Sequence, residues 1–151
     1  MIVRPLEDKD VTHIKDRPGQ FLGAHRSRLE IEQEVLKNLM ATYYVAEEDG
    51  VFLGYIGLWL HEESAEIVTL YVNEEARFKG VGKTLLEAAL SRLREVNITT
   101  ITLEVSEQNV GAIHLYERMG FKVVATRRQY YQDGSNALLM MKEDTHEHTR
   151  H

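Results

Sequence analysis

Cysteine is absent from the 151-residue chain, and proline occurs only twice. Without cysteine the chain has no disulfide framework, no thiolate zinc site and no cysteine nucleophile, and its composition suits a reducing compartment. Long apolar runs are missing as well. The longest, at residues 51–60, is too short to span a bilayer, and the first ten residues lack the apolar core of a signal peptide. These absences predict a cytoplasmic protein with no membrane anchor.

An excess of positive charge is also lacking. The chain has 18 Lys and Arg residues against 24 Asp and Glu residues, a formal net charge of -6. This balance argues against a general nucleic-acid binder, which must neutralise many backbone phosphates. The length and the 43% hydrophobic content fit one packed domain. We expect that domain to span residues 1–143, followed by a polar, disordered tail at 144–151, and we expect no metal site.

Hydrophobic periodicity predicts alternating strands and helices. Ser27 is a plausible N-cap for the second helix, with Glu30 in the capping-box position, and apolar residues recur along that helix to Met40. The first predicted strand is 2–4, and residues 42–72 are predicted to form three strands in an antiparallel meander. The remaining predicted strands are 99–105, 121–131 and 137–142. The predicted helices are 6–16, 27–40, 81–95 and 109–120. The order β-α-α-β-β-β-α-β-α-β-β predicts an α/β (α+β) fold, a mixed sheet with helices on its faces.

The stretch RFKGVGKT at residues 77–84 resembles a nucleotide-binding P-loop at its end, Gly82-Lys83-Thr84. A P-loop requires glycine six positions before the lysine, where this chain has Arg77. It also follows its strand directly, whereas residues 73–79 intervene here. What remains is an R-x-x-G-x-G pattern at a helix start, where free backbone N–H groups can bind a pyrophosphate.

Three segments together resemble the GNAT acetyltransferases: residues 70–86, 103–121 and 127–140. The last two are similar to the RimI-like branch, which acetylates protein N-termini. The resemblance covers essentially the whole chain. It implies the GNAT fold, acetyl-coenzyme A as cosubstrate without a metal, and a V-shaped opening between the fourth and fifth strands.

The resemblance also implies which residues bind the cofactor. The bulged end of strand four would contribute backbone groups, and Asn109 would bond the cofactor arm, although Asn109 could equally cap the next helix. The full predicted set is Leu70, Tyr71, Val72, Arg77, Phe78, Lys79, Gly80, Val81, Gly82, Lys83, Thr84, Asn109 and Tyr116.

Two residues are predicted to be catalytic. By resemblance Tyr116 is the general acid for the departing thiolate, although without the family it would be read as a core residue. Glu104 matches the proton acceptor of the RimI-like branch, acting directly or through water. Strand alternation places Glu104 on the face opposite Leu103 and Val105.

The acceptor is expected to be the α-amine of a protein N-terminus, with a ribosomal protein as one candidate. Tyr130, Tyr131 and, from the loop between the first two helices, Phe21 are the predicted substrate-binding residues. The stretch between the tyrosine pair and the following DG turn is shorter than in bacterial members, which leaves the acceptor peptide open. A monomer and a homodimer are both compatible with the sequence.

Two alternatives remain open. One is a GNAT enzyme for a small-molecule amine, which should ignore peptide sequence. The other is a non-catalytic acetyl-coenzyme A-binding module, which should bind the cofactor without turnover; the presence of both Glu104 and Tyr116 counts against it.

Overall fold

A single seven-stranded mixed sheet organises the chain. The structure is a computed structural model that describes residues 1–16 and 27–144. The strands are β1 (Ile2–Pro5), β2 (Ala41–Glu48), β3 (Val51–His61), β4 (Ser64–Val72), β5 (Thr100–Ser106), β6 (Lys122–Arg127) and β7 (Ala137–Glu143). Their spatial order is β1-β2-β3-β4-β5-β7-β6, so the last strand lies between β5 and β6. All neighbours are antiparallel except β4 and β5, which are parallel.

Within the described residues, four α-helices connect these strands. They are α1 (Val11–Asp16), α2 (Arg28–Glu32), α3 (Val81–Glu95) and α4 (Val110–Arg118). A π-helical turn (Gln33–Lys37) continues α2, and short 3-10 turns cover Asp8–Asp10 and Glu74–Ala76. The predicted order of elements and the antiparallel meander are confirmed. No helix in the described ranges 1–16 and 27–144 is long and apolar enough to cross a membrane.

Each sheet face has its own hydrophobic core. On one face α3 buries Leu85, Leu86 and Leu93 against apolar residues of β3, β4 and β5. On the other face Val11 and Ile14 of α1 pack, with residues of α2, against β2, β3 and β4. Among the described residues, β5, β6 and β7 contribute nothing to this second core. The two halves of that face therefore differ, and the half formed by β5–β7 is the one that bears on function.

The second helix starts as predicted and ends differently. Ser27 accepts a hydrogen bond from the Glu30 N–H, and the Glu30 side chain accepts one from the Ser27 N–H, which is the predicted capping box. The α-helical part stops at Glu32 and widens into the π-helical turn. This turn is fastened by Glu34, whose carboxylate accepts hydrogen bonds from Asn38, Tyr43 and Trp59.

The predicted apolar stripe of this helix was wrong in most positions. Ile31 is buried, and Val35 packs against the second core. Leu29, Leu36, Leu39 and Met40 are exposed. Leu29 lies in α2 on the side away from the buried Ile31, and Leu39 and Met40 lie beyond the end of the helical turn at Lys37. Periodicity could not show this, because it contains neither the change to π winding after Glu32 nor the end of the helix.

Candidate active site

An opening separates the ends of β4 and β5. The two strands pair from Ser64 opposite Thr100 to Ile67 opposite Leu103, and no further. Beyond that point β5 keeps its pairing with β7, and β4 keeps its pairing with β3. Among the described strands, residues 68–72 of β4 therefore have a neighbour on one side only. Their free backbone groups line one wall of a wedge whose vertex lies at the Ile67–Leu103 pair.

The bulge in β4 lies earlier than predicted. Ile67 is opposite Leu58 and Thr69 is opposite Gly57, so Val68 is the extra residue. The sequence prediction had put the bulged end at Leu70–Val72, but those residues pair regularly with β3. Because a bulge bends its strand, Val68 accounts for β4 turning away from β5 immediately after their last pair.

The wedge leads to the N-terminus of α3. Gly80 precedes the helix with a φ of 83°, in the left-handed region that favours glycine. The N–H of Thr84 donates to the Gly80 carbonyl at 3.0 Å, closing the first helical turn. The N–H groups of residues 81–83 precede that bond and have no acceptor within the helix. Free N–H groups at the positive end of a helix dipole are the kind of groups that bind anions in proteins.

Basic side chains surround this helix start. Arg77, Lys79 and Lys83 are exposed around it. The Arg77 Nε lies 3.4 Å from the Val72 carbonyl oxygen and so connects the loop to the end of β4. A Cβ added at Gly82 would lie 3.6 Å from Leu115 and 3.7 Å from Val72, so β4, α3 and α4 meet here.

The remaining cofactor candidates are distributed around the same junction. Phe78 is fully exposed, with a φ of 65°. Asn109 caps α4: its side-chain oxygen accepts a hydrogen bond from the Ala112 N–H at 3.2 Å, which confirms the capping alternative. A cofactor contact by the Asn109 amide group stays a prediction. Leu70 and Val72 pack against the α3 core, whereas Tyr71 packs against the second core.

Tyr116 lies on α4 among core residues. Its side chain is 6% exposed, and its ring packs edge-on against Phe121 with centroids 5.8 Å apart. Burial raises the pKa of the Tyr116 phenol to about 12. The phenol is therefore protonated throughout the neutral range and can donate a hydrogen bond. Both interpretations weighed from the sequence apply in part, because Tyr116 is a core residue that also carries a protonated hydroxyl.

Glu104 is the first residue of β5 beyond the last β4–β5 pair. Leu103 and Val105 are buried on the α3 side, so the predicted alternation is confirmed and Glu104 lies on the other face. Its side chain is 24% exposed. One carboxylate oxygen is buried and accepts no hydrogen bond from the described part of the chain, and it lies 3.6 Å from the Arg127 Nε on β6.

The loop between β6 and β7 lies beside Glu104. β6 ends at Arg127, so Tyr130 and Tyr131 belong to this loop and not to the strand predicted at 121–131. The two rings meet edge to face with centroids 5.1 Å apart, and the Arg127 guanidinium lies 5.5 Å from the Tyr130 ring centre. Desolvation, and then the negative charge of Glu104, raises the pKa of Tyr131. The predicted tyrosine pair and Glu104 therefore share one neighbourhood.

Side-chain hydrogen bonds hold this loop against the end of β5. Asn136 donates from its amide to Glu107 at 3.1 Å and accepts from the Gln129 N–H at 2.9 Å. Asp133 accepts from both the N–H and the hydroxyl of Ser135. The loop is thus fixed to the turn that leads into α4. The third predicted acceptor residue, Phe21, lies outside the described residues, as does the tail at 145–151.

Sequence reasoning missed Glu66. This residue lies on β4 opposite Thr102, on the same face as Glu104. Burial, and then the nearby charge of Glu104, raises the pKa of Glu66, whereas Arg127 acts in the opposite direction. No local signal marks Glu66, because its neighbourhood depends on the register of two strands more than thirty residues apart in sequence.

Comparison with known proteins agrees with this architecture. The model of the Acetyltransferase (GNAT) family matches residues 9–121. A putative ribosomal protein bS18-alanine N-acetyltransferase of Bacillus subtilis is 30% identical over 139 residues, which is 91% of this chain and 92% of the relative. An N-alpha-acetyltransferase of Sulfurisphaera tokodaii is 38% identical over 120 residues, covering 71% of this chain and 72% of that protein.

Solved structures share the fold. The Ard1 structure from Thermoplasma volcanium superposes with a TM-score of 0.79 at 28% identity, covering 95% of this chain and 97% of that one. The ribosomal-protein-S18-alanine N-acetyltransferase of Escherichia coli gives a TM-score of 0.82 at 24% identity, covering 94% and 92% of the two chains, a likeness of fold alone.

The mixed sheet that parts between β4 and β5, together with these relatives, defines the class as an acetyltransferase of mixed α/β architecture. The chain belongs to the GNAT acetyltransferase family and is an N-acetyltransferase. The family uses acetyl-coenzyme A as the acetyl donor. In the described residues no group of three or more His, Asp or Glu side chains is arranged to hold a metal ion.

Proposed function

We propose that this enzyme transfers the acetyl group of acetyl-coenzyme A to the α-amine of a protein N-terminus. The observation that carries the proposal is the position of Glu104 at the vertex of the wedge, next to the loop with Tyr130 and Tyr131. The relatives from B. subtilis and S. tokodaii, named for acetylation of bS18 alanine and of protein α-amines, support it. A ribosomal protein is one candidate acceptor.

The residues present fit acetyl-coenzyme A. The free N–H groups at the start of α3, with Arg77, Lys79 and Lys83 around them, suit its pyrophosphate. The unpaired backbone edge of 68–72 suits the amide groups of its pantetheine arm, since these need donors and acceptors of the kind a strand edge offers. When bound, the thioester supplies the acetyl group; a backbone N–H of 70–72 would polarise its carbonyl.

Glu104 is the proposed proton acceptor. An N-terminal amine must lose a proton before it can attack a carbonyl, because the ammonium form has no free electron pair. The buried carboxylate oxygen of Glu104 has no hydrogen bond from the described residues and is therefore available to take that proton directly or through a water molecule. The Arg127 Nε lies 3.6 Å from this oxygen and forms an ion pair with it.

Tyr116 is the proposed donor to the departing thiolate. An alkyl thiol such as cysteine has a pKa of about 8.5, well below the value of about 12 for the Tyr116 phenol. Full proton transfer from Tyr116 to the sulfur is therefore uphill. We infer that Tyr116 stabilises the developing thiolate mainly through a hydrogen bond, while its own proton stays largely on oxygen.

The acceptor side is proposed to be the face of β5 together with the β6–β7 loop. Tyr130 is 52% exposed beside Arg127, so its ring is available to a peptide. The loop is already fixed by hydrogen bonds, so it would lose little conformational entropy when a peptide binds. Phe21 stays a prediction for the same surface.

The decisive experiment is an acceptor panel. The purified protein would be incubated with acetyl-coenzyme A and short peptides that differ in their first two residues, with N-terminally blocked, lysine-containing peptides as controls. Free thiol would be measured, and mass spectrometry would locate the acetyl group. We expect acetylation of the α-amine with a preference among first residues. Acetylation of blocked peptides alone would overturn the proposal.

A small-molecule amine is the second candidate, since Glu66 and Glu104 place two carboxylates on one face, which suits a cationic amine. The same assay with a polyamine and an amino sugar distinguishes it. Faster turnover of these amines than of any peptide would indicate that the acceptor is a small-molecule amine and not a peptide. Binding of acetyl-coenzyme A without turnover of any amine would indicate the non-catalytic module.

A further inference from the structure

A surface depression lies close to Glu104, on the sheet face opposite α3. Glu66 is paired with Thr102, and Glu104 is two residues further along β5 on the same face. The depression has a volume of about 270 Å³, and its lining includes Met40, Trp59, Glu66 and Thr102. Pockets that enclose a whole small molecule usually measure about 300–1,000 Å³. The depression is therefore better suited to a single long side chain.

Glu66 gives this depression a negative charge. The lining that the structure describes contains no lysine or arginine, and Glu66 contributes its carboxylate. No side chain of residues 1–16 or 27–144 donates a hydrogen bond to that carboxylate. Burial, and then the charge of Glu104, raises the pKa of Glu66, which shows that its ionised form is poorly solvated. A cationic group in the depression would stabilise the ionised carboxylate.

The walls beside Glu66 are apolar and are held in place by hydrogen bonds. Trp59 is paired with Glu66 on β3, and its indole N–H donates to Glu34 at 2.7 Å. Met40 directly precedes β2, and its carbonyl oxygen accepts a hydrogen bond from the Leu60 N–H at 2.8 Å. Lysine and arginine side chains place their aliphatic stems on apolar surface while their charged ends reach a polar partner. An apolar wall next to a carboxylate suits such a side chain.

The distance between Glu104 and Glu66 corresponds to one position in an acceptor peptide. Strand spacing and rise put their Cα atoms roughly 8 Å apart. An extended peptide advances about 3.3 Å per residue, and its alternate side chains point to the same side. If the α-amine of residue 1 lies at Glu104 and the chain runs towards Glu66, the side chain of residue 3 lies over the depression.

We propose that this depression is an acceptor subsite that binds a lysine or arginine side chain at the third residue of the substrate N-terminus. The Glu66 carboxylate pairs with the charged group, and Met40 and Trp59 contact the aliphatic stem. The subsite selects the acceptor and takes no part in the chemical step. The inference rests on the proposed function, because it requires a peptide α-amine at Glu104.

The test uses peptides that differ only at the third residue, which is lysine, norleucine or glutamate. Values of kcat/KM would be measured for the wild type, Glu66→Gln and Glu66→Lys. We expect the wild type to prefer lysine over norleucine roughly 5-fold or more, mainly through a lower KM. This preference should disappear in Glu66→Gln, and Glu66→Lys should prefer the glutamate peptide. Because each ratio is taken within one variant, a general loss of activity does not change it.

Glu87→Gln is the matched control, because it also removes one carboxylate but lies exposed on α3, over the opposite sheet face. It should keep the wild-type preference. Acetylation of α-amines without a preference for lysine at the third residue, or a preference that survives in Glu66→Gln, would overturn the subsite. Faster turnover of a polyamine than of the lysine peptide, lost in Glu66→Gln, would assign the depression to a small-molecule amine instead. If the wild type acetylates no α-amine, it is the proposed function that fails.

Discussion

The two walls of the wedge are built in different ways. The cofactor wall consists of consecutive residues, 68–84, and offers mainly backbone groups: the free edge of β4 and the N–H groups at the start of α3. The acceptor wall brings Glu66, Glu104, Arg127 and Tyr131 together from four separate stretches, and it acts through side chains. In the proposed function, backbone groups therefore bind the cosubstrate, whereas side chains on paired strands contact the acceptor.

The largest effect is expected when either proposed catalytic group is removed. Tyr116→Phe removes the proposed donor to the thiolate, and Glu104→Gln removes the proposed proton acceptor on the acceptor wall; each should lower kcat by about 100-fold or more. Steady-state kinetics with a peptide acceptor would measure both. If the two groups act independently, the logarithmic losses add in the double variant. A double variant no slower than either single one would show that the two groups work as one unit.

A difference between buried and surface tyrosines should appear in stability at high pH. The pKa of Tyr116 is raised from 10.0 to about 12 in the folded protein. Its contribution to the free energy of unfolding is therefore complete below pH 10 and is lost as pH rises through 12. The full loss of unfolding free energy is about 2–3 kcal/mol. Urea unfolding at pH 8 and at about pH 11 should show a smaller decline for Tyr116→Phe than for the wild type. Tyr131→Phe, on the acceptor wall, is the control and should decline almost like the wild type.

A smaller effect is expected from glycine replacement at the helix start. Gly80 and Gly50 share positive φ angles of 83° and 79°, and neither has an atom within 4 Å of an added Cβ. Gly80→Ala and Gly50→Ala should therefore each cost about 1 kcal/mol of stability. Only Gly80→Ala should weaken acetyl-coenzyme A binding, by roughly 10-fold, since it disturbs the N–H groups that face the pyrophosphate. Calorimetric titration would measure the affinity, and equal cofactor affinity of both variants would contradict the proposed pyrophosphate site at the start of α3.

The smallest effect is expected at Arg127. Arg127→Ala removes a half-exposed partner of Glu104 and the cation beside Tyr130, so the peptide KM should rise a few-fold while acetyl-coenzyme A affinity stays the same. Arg94→Ala is the control, because Arg94 is similarly exposed and pairs with Asp144 at 3.1 Å, away from the wedge. A change in acetyl-coenzyme A affinity without a change in peptide KM would contradict the assignment of Arg127 to the acceptor wall.

The same contrast explains what the sequence could predict. The helix start after Gly80 follows from a local pattern, and the alternation around Glu104 needs only one strand, so both could be predicted from the sequence and are confirmed. Glu66 and the Arg127–Glu104 ion pair depend on strand register, which single-sequence patterns do not contain. The exposed Leu39 and the early end of β6 were missed for a related reason: π winding and loop hydrogen bonds override apolar periodicity.

The position of β7 between β5 and β6 has a consequence for the newly made enzyme. As the chain is synthesised, β4, α3, β5 and α4 all emerge before β7, yet Glu104 faces Leu139 of β7 across the sheet. Until β7 has been synthesised, β5 has an unpaired edge, and the loop with Tyr130 and Tyr131 lacks the strand that follows it. The proposed acceptor site is therefore complete only once the last strand described has been made.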